Sequence, residues 1–267
     1  PPVQQQQQTN QPPVQQQQQT NQPPVQQQTN QPPAQQQQGG NSKNQFGIMV
    51  VYSPDAETAV GSANAVKARA GTWIANLNTC FKNSNLGSIT ATLVHTHKTT
   101  LSPGSASGGH GDALKHIKSD KTIQSLRDQY KADFISMMIK GGGSGTAGLA
   151  YVLTNANGSP GTYASAVNHN GGGRVFSHEL GHNHGCGHDA TQGGGKLNAE
   201  SQGYHFTGSD GKGYRTVMAY GKAGFNIGTD YFSGPMIIYK GSTTGWPGVA
   251  DNAKTIGTTN PKIQKYK

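Results

Sequence analysis

Residues 178–188 have the sequence His-Glu-Leu-Gly-His-Asn-His-Gly-Cys-Gly-His. Residues four apart on an α-helix lie one turn apart on the same face, so His178 and His182 present two imidazoles side by side. This spacing suits two ligands of one zinc ion. Gly185 can take the left-handed conformation that ends helices, and the following turn brings His188 round as a third nitrogen ligand. Three histidines leave one coordination position open for water, which is typical of a catalytic zinc.

Glu179 lies beside the predicted metal, where its carboxylate can accept a proton from a zinc-bound water. The chain has ten histidines, so a histidine-rich loop that binds metal adventitiously is the alternative interpretation. The flanking residues favour the helix. Residues 175–177 supply apolar side chains for a buried helix, and Gly171-Gly172-Gly173 marks a loop ahead of it.

The motif H-E-x-x-H-x-x-G-x-x-H resembles that of the metzincin clan of zinc endopeptidases. Asp189, directly after the third histidine, is similar to the adamalysin (reprolysin) branch. The stretch Tyr-Arg-Thr-Val-Met-Ala-Tyr at 214–220 resembles the clan's tight turn, which places a methionine, here Met218, beneath the zinc. A methionine at an apolar position is usually core filling. Tyr220 adds weight, because a tyrosine there reaches the zinc or the oxyanion in the astacin and serralysin branches. Bacterial reprolysin-like proteases have a similar Met-Ala-Tyr.

The resemblance implies a zinc-dependent endopeptidase, a hydrolase that cleaves peptide bonds in protein or peptide substrates. One Zn²⁺ per chain would be held by His178, His182 and His188. Glu179 would assist the attack of a zinc-bound water, and Tyr220 would donate a hydrogen bond to the tetrahedral oxyanion.

A second interpretation is a matrix or adhesion protein with a structural zinc site, anchored through a glutamine-rich tail. It depends on the amino-terminal repeat and on His184, where relatives usually have an apolar residue. His184 could form a hydrogen bond in the core or shift the pH profile, and the sequence leaves both open.

The resemblance runs from about residue 46 to the end and implies an α+β, metzincin-type zincin fold. Its parts would be a twisted mixed sheet, a zinc-binding active-site helix and a loop-rich C-terminal subdomain. Within a peptidase domain at 43–267, the upper subdomain would cover about 43–185 and the lower about 186–267.

The apolar patterns predict the elements of the upper subdomain. We expect strands at 46–52, 89–96 and 134–139, one amphipathic helix whose apolar residues recur from Ala59 to Phe81, and a second helix at 123–130. A further strand is predicted at 147–152. By the resemblance it would be the edge strand that binds an extended peptide substrate by strand addition. The alternative is a core strand.

Residues 1–42 have a different composition. A Pro-Pro-Val and glutamine-rich unit at 1–11 recurs at 12–22 and, shortened, at 23–31. Because this segment has almost no apolar side chain to bury, we expect a disordered Gln/Pro-rich tail and linker. Its role as a spacer or as an attachment tail stays open.

The two cysteines, Cys80 and Cys186, fall at the ends of the first predicted helix and the zinc helix. In an oxidising compartment a disulfide would tie these two ends together. Two free thiols are the alternative.

The composition, with 12% charged residues and 38 glycines, suits a secreted, extracellular protein with many turns. The chain begins with Pro1 and shows no signal peptide, so we expect a processed or truncated form. The sequence contains no run of eighteen apolar residues, so it predicts no membrane span.

The net charge of +9 lies outside the tail. Without a nucleic-acid motif it predicts no nucleic-acid partner, only attraction to acidic surfaces or substrates. The sequence predicts no oligomeric state.

Overall fold

A computed structural model describes residues 44–103, 109–141, 145–159 and 161–267. They belong to one compact unit, and the tail predicted at 1–42 lies outside the described residues. The helices are Pro54–Val60 (α1), Ala63–Asn83 (α2), Gly109–Ser119 (α3), Lys121–Gln129 (α4), Gly172–Asn183 (α5) and Asn252–Ile263 (α6). The strands are Gln45–Tyr52 (β1), Thr90–Lys98 (β2), Phe134–Ile139 (β3), Gly148–Ala150 (β4), Ala164–Asn168 (β5), His205–Thr207 (β6), Gly213–Arg215 (β7), Ile227–Gly228 (β8), Ile238–Tyr239 (β9) and Ser242–Thr243 (β10).

The main sheet has five strands in the order β2-β1-β3-β5-β4. The first four run parallel, and β4 pairs antiparallel with β5. All six residues of β3 are buried, as are residues 46–52 of β1. Strands covered on both faces need such continuous apolar runs. The predicted mixed sheet of an α+β fold is therefore confirmed.

The strand predicted at 147–152 is shorter, at 148–150, and forms an edge of this sheet. Its register pairs Gly148 with Val167 and Ala150 with Ser165. Its three residues are half-buried or exposed, and Leu149 is exposed. The edge position is confirmed, and the alternative of a core strand is wrong.

The single helix predicted between Ala59 and Phe81 is wrong, because the chain forms two helices there. α1 ends at Val60, and its capping residue Gly61 has a φ of 113°, which lies outside helical geometry. Ser62 then caps α2 by accepting a hydrogen bond from the backbone N–H of Ala65. Glycine ends a helix because it adopts the required backbone angles at little cost. Serine starts one because its side-chain oxygen accepts a hydrogen bond from a backbone N–H of the first turn.

Helix α5 packs against α2 across the core. The Trp73 ring stacks on Phe176 with centroids 5.4 Å apart. The hydroxyl of Ser177 donates to Asn76 Oδ1 at 3.1 Å. Both Trp73 and Phe176 are almost fully buried, so truncating either would cost about 3–5 kcal/mol. This contact fixes the helix that carries the first two histidines.

The sequence patterns do not predict two elements that pack together in the structure, strand β5 and helix α3. Strand β5 is built partly from small residues, Ala164, Ser165 and Ala166, which give no apolar run. Helix α3 begins with Gly-His-Gly-Asp, a poor helix signal. Both form because α3 contacts β3 and β5, so tertiary packing overrides local preference.

The part of the chain after α5 is loop-rich, as predicted. Between residues 184 and 251 the regular elements are strands of two or three residues. They form a three-stranded sheet, β6-β7-β8, and a β9-β10 hairpin. The last helix, α6, is capped by Asp251, whose side chain accepts a hydrogen bond from the backbone N–H of Lys254. None of the described helices is long and apolar enough to cross a membrane.

The predicted disulfide is not formed, since Cys80 and Cys186 are both free and buried. The Cys80 sulfur lies 3.9 Å from Asn76 Oδ1, within its own helix. The Cys186 sulfur lies 3.8 Å from the carbonyl oxygen of Asn252 in α6. Burial raises the pKa of the Cys80 thiol to about 12 and that of Cys186 well above its ordinary value. Both therefore act as small core side chains.

Candidate active site

Helix α5 presents His178 and His182 on one face, with ring centroids 4.8 Å apart. The helix ends at Asn183, and Gly185 follows with a φ of +98°. A Cβ at Gly185 would lie 3.1 Å from the carbonyl oxygen of Leu153 and meet Leu197 still more closely. The position therefore requires glycine for both conformation and space. The turn brings His188 back towards the helix, as the sequence predicts.

The three imidazoles form a site that fits a divalent metal. Their ligand atoms all lie within 4.8 Å of one another. The Nε2 atoms of His182 and His188 face each other at 3.1 Å. The Nε2 atom of His178 is buried without a hydrogen-bond partner. Three nitrogen lone pairs gathered in this way need a cation between them.

The opposite ring nitrogens fix the tautomers. His178 Nδ1 donates to the carbonyl oxygen of Val217 at 2.9 Å, and His182 Nδ1 donates to that of Cys186 at 2.8 Å. With the protons on Nδ1, the Nε2 atoms carry the lone pairs that a metal binds. Burial lowers the pKa of His182 to about 4, that of His178 well below its ordinary value, and that of His188 in the same direction. All three are therefore neutral near pH 7.

Glu179 lies in the wall of a cleft beside the triad, and only 5% of its surface is exposed. The backbone of Gly148 in the edge strand passes directly over its carboxyl group. A Cβ on Gly148 would be 2.6 Å from Glu179 Oε1. Burial raises the pKa of the Glu179 carboxyl to about 8, so the group is poised to exchange a proton near neutral pH.

Met218 and Tyr220 bound the site from the other side. The Met218 sulfur packs against Gly181 so closely that a Cβ on this glycine would collide with it. The Tyr220 ring stacks on His178 with centroids 5.5 Å apart and tilts over His188 at 4.5 Å. Its backbone carbonyl accepts a hydrogen bond from His205 Nε2 at 2.7 Å. Burial and the nearby Glu179 raise the pKa of the Tyr220 hydroxyl, which keeps it a donor.

A cleft of about 470 Å³ opens beside the triad. One wall is the segment 145–148. The others come from α5, from the end of β7 and from the turn after it, which contribute Arg174, Val175, His178, Glu179, Arg215, Val217 and Tyr220. Sequence reasoning missed Gly148 and both arginines as site residues. Arg174 lies one turn before His178 and Arg215 lies within 214–220, so proximity to the two motifs was the available signal.

His184 is not part of the triad. It is fully buried, and its Nδ1 donates to the carbonyl oxygen of Leu180 at 2.8 Å. The rings of Phe46, Phe81 and Phe134 surround it edge-on, with centroids 5.4, 6.0 and 5.2 Å away. Of the two alternatives, a hydrogen-bonded core histidine is the one observed.

Comparison with known proteins gives consistent matches. A family model described as Reprolysin_5, metallo-peptidase family M12, matches residues 42–233. The chain is similar to a peptidyl-Asp metalloendopeptidase of Pseudomonas aeruginosa, with 29% identity over 215 residues that cover 72% of this chain and 34% of that protein. It is also similar to a peptidyl-Asp metalloendopeptidase of Stenotrophomonas maltophilia, with 33% identity over 93 residues, or 34% of this chain and 22% of that protein. The matches thus span about a third or less of these relatives' length.

The fold also matches a solved structure titled "Structure of a chaperone-substrate complex". The TM-score is 0.66 at 24% identity, over 84% of this chain and 35% of that one. This likeness supports the fold alone.

Proposed function

The chain belongs to metallopeptidase family M12, and from that premise we propose that it is a zinc-dependent endopeptidase that cleaves peptide bonds in proteins. The observation that carries the proposal is the position of Glu179. Its carboxyl group lines one cleft together with His178 of the triad and lies against the edge strand. A structural zinc site has no use for a buried acid at the mouth of a substrate-sized cleft.

His178, His182 and His188 would hold the zinc through their Nε2 atoms. When bound, zinc supplies a Lewis acid that polarises the scissile carbonyl and makes a water molecule more acidic. The residues support this by keeping neutral imidazoles in fixed orientations, since Val217 and Cys186 hold two of the Nδ1 protons.

Glu179 accepts the proton of the attacking water and passes it to the leaving amine. A base with a pKa near the working pH does both steps well, and burial places Glu179 in that range. A cation held by the triad would lower this pKa and favour the carboxylate at the start of the reaction.

Tyr220 donates a hydrogen bond to the oxygen on which negative charge develops. Its ring is held by stacking on His178, and its backbone is held by His205. Because its hydroxyl stays protonated, it can donate throughout the reaction.

The edge strand β4 aligns the substrate. Its outer side faces no strand among the described residues. Its residue Gly148 packs against the carboxyl group of Glu179. An extended peptide that pairs with β4 would pass beside the triad. Both curated relatives are named for aspartate, so the proposal includes a preference for peptide bonds beside aspartate. It also includes secretion, which the low charge content supports.

The Glu179→Gln variant tests the proposal. It should bind one zinc per chain and keep the wild-type unfolding transition, because the amide fills the same space. Cleavage of a mixed peptide library should fall by about 10³-fold or more, since the proton acceptor is lost. A Glu200→Gln variant is the matched control, as Glu200 lies outside the cleft and pairs with Lys254. Wild-type cleavage rates in Glu179→Gln would refute the mechanism.

A further inference from the structure

Two guanidinium groups line the cleft without a carboxylate partner. Arg174 projects from α5, one turn before His178, and Arg215 ends β7. Neither forms an ion pair with a carboxylate among the described residues. Glu179 is the only described acid in the cleft wall. The cleft therefore carries an excess of positive charge beside the reacting centre.

Arg174 is already committed to the fold. Its two terminal nitrogens donate to the carbonyl oxygens of Thr229, Thr216 at 2.7 Å and Arg215 at 3.5 Å. A Cβ at Gly228 would lie 2.8 Å from its central carbon, so that glycine makes room for it. Arg174 thus ties α5 to the short sheet and contributes positive charge with few donors to spare.

Arg215 differs because part of its donor set is unused. Its Nη1 donates to the carbonyl oxygen of Ala219 at 2.9 Å. Its Nε is buried and has no hydrogen-bond partner. A buried N–H of a charged group that lacks an acceptor is unfavourable. Burial and the nearby charge of Arg215 lower the pKa of the Arg174 guanidinium, and Asp230 partly offsets them.

We propose that Arg215 is a specificity-determining residue, which binds the carboxylate of an acidic substrate side chain next to the scissile bond. Arg174 lines the same cleft and adds a second positive charge. This inference rests on the proposed endopeptidase function and gives its aspartate preference a physical cause. A carboxylate matches the planar guanidinium fork that Arg215 presents in the cleft lining. It also relieves the repulsion between the two cations, which an amide or a hydroxyl would not do.

The test uses the zinc-loaded chain of residues 1–267 and three peptides that are uncharged except at one central position, which is Asp, Asn or Lys. Cleavage on either side of that position is counted. The wild type should cleave the Asp peptide at least 10-fold faster, by kcat/KM, than the Asn peptide. Arg215→Gln should lose about 10- to 100-fold on the Asp peptide and change less than about 3-fold on the Asn peptide. Arg215→Glu should shift the preference to the Lys peptide.

Lys212→Gln provides the matched control, because it removes one exposed positive charge outside the cleft. It should leave all three rates unchanged. Zinc content and unfolding are measured for every variant. An equal loss on the Asp and Asn peptides in Arg215→Gln would indicate a structural role and overturn the inference.

The wild-type measurement guards against a variant that does not fold. Equal cleavage of the Asp and Asn peptides by the wild type overturns the inference and leaves the endopeptidase proposal standing. No cleavage of any peptide by the zinc-loaded wild type overturns the endopeptidase proposal itself.

Discussion

Replacing Gly148 by alanine should separate catalysis from zinc binding. The new Cβ would lie 2.6 Å from Glu179 Oε1 and 2.7 Å from its Cγ, whereas ordinary contact begins at 3.4 Å. The carboxyl group must therefore move by about 0.8 Å or more, because a side chain shifts more easily than the backbone of a strand that is paired with its neighbour. A misplacement of about 1 Å in catalytic geometry costs about 10²-fold in rate.

The expected result is a fall of about 100-fold in kcat/KM with one zinc per chain retained. The free energy of unfolding should change by less than about 1 kcal/mol, since Gly148 does not have the positive φ that an alanine would strain and alanine restricts the unfolded chain.

Gly71→Ala is the matched control, because a Cβ there has nothing within 4 Å. Gly71 lies inside α2, so this variant should be more stable by about 1 kcal/mol with unchanged cleavage. Wild-type activity in Gly148→Ala would refute the placement of Glu179 beneath the edge strand.

Three further predictions concern the core around the site. Gly181→Ala should lose about 1–3 kcal/mol of stability by overpacking, measured by urea unfolding, because its Cβ would collide with the Met218 sulfur; unchanged stability would contradict that packing. The free energy of unfolding of His184→Leu, measured relative to that of the wild type, should increase as the pH falls from about 6.5 to about 4. The folded-state pKa of His184 is lowered to about 4 by burial, so its neutral form contributes stability that is lost in this window, up to about 3 kcal/mol; a pH-independent difference would refute it. A thiol reagent should label neither Cys80 nor Cys186 in the folded protein and should label both after denaturation without reductant. Failure to label the denatured chain would show that the two cysteines form a disulfide.

The sequence predicts the histidine triad well because its geometry is local. His178 and His182 are placed by helix periodicity, and Gly185 allows the turn to His188. The burial of β1 and β3 follows from their continuous apolar runs. Each of these features is determined within about a dozen residues, so no knowledge of the tertiary fold is needed.

The rest of the site depends on contacts between distant segments. Gly148 and Glu179 meet because β4 folds back beside β5 at the edge of the sheet. Arg174 and Arg215 come together only when β7 packs against α5. No periodicity reports such distances, and a glycine in a strand signals a close approach without naming its partner.

The errors have equally physical causes. The apolar repeat continues across Gly61 in register, so periodicity alone misses the break that the glycine conformation imposes. The cysteine prediction relied on helix ends being close. The side-chain directions decide instead, since Cys80 faces Asn76 and Cys186 faces Asn252.

The most direct test of the central claim is zinc content measured together with cleavage of a mixed peptide library, with and without a chelator. We predict one zinc per chain, loss of cleavage on chelation and recovery when zinc is restored. Cleavage that persists after the zinc has been removed, or one bound zinc without cleavage of any peptide, would contradict it.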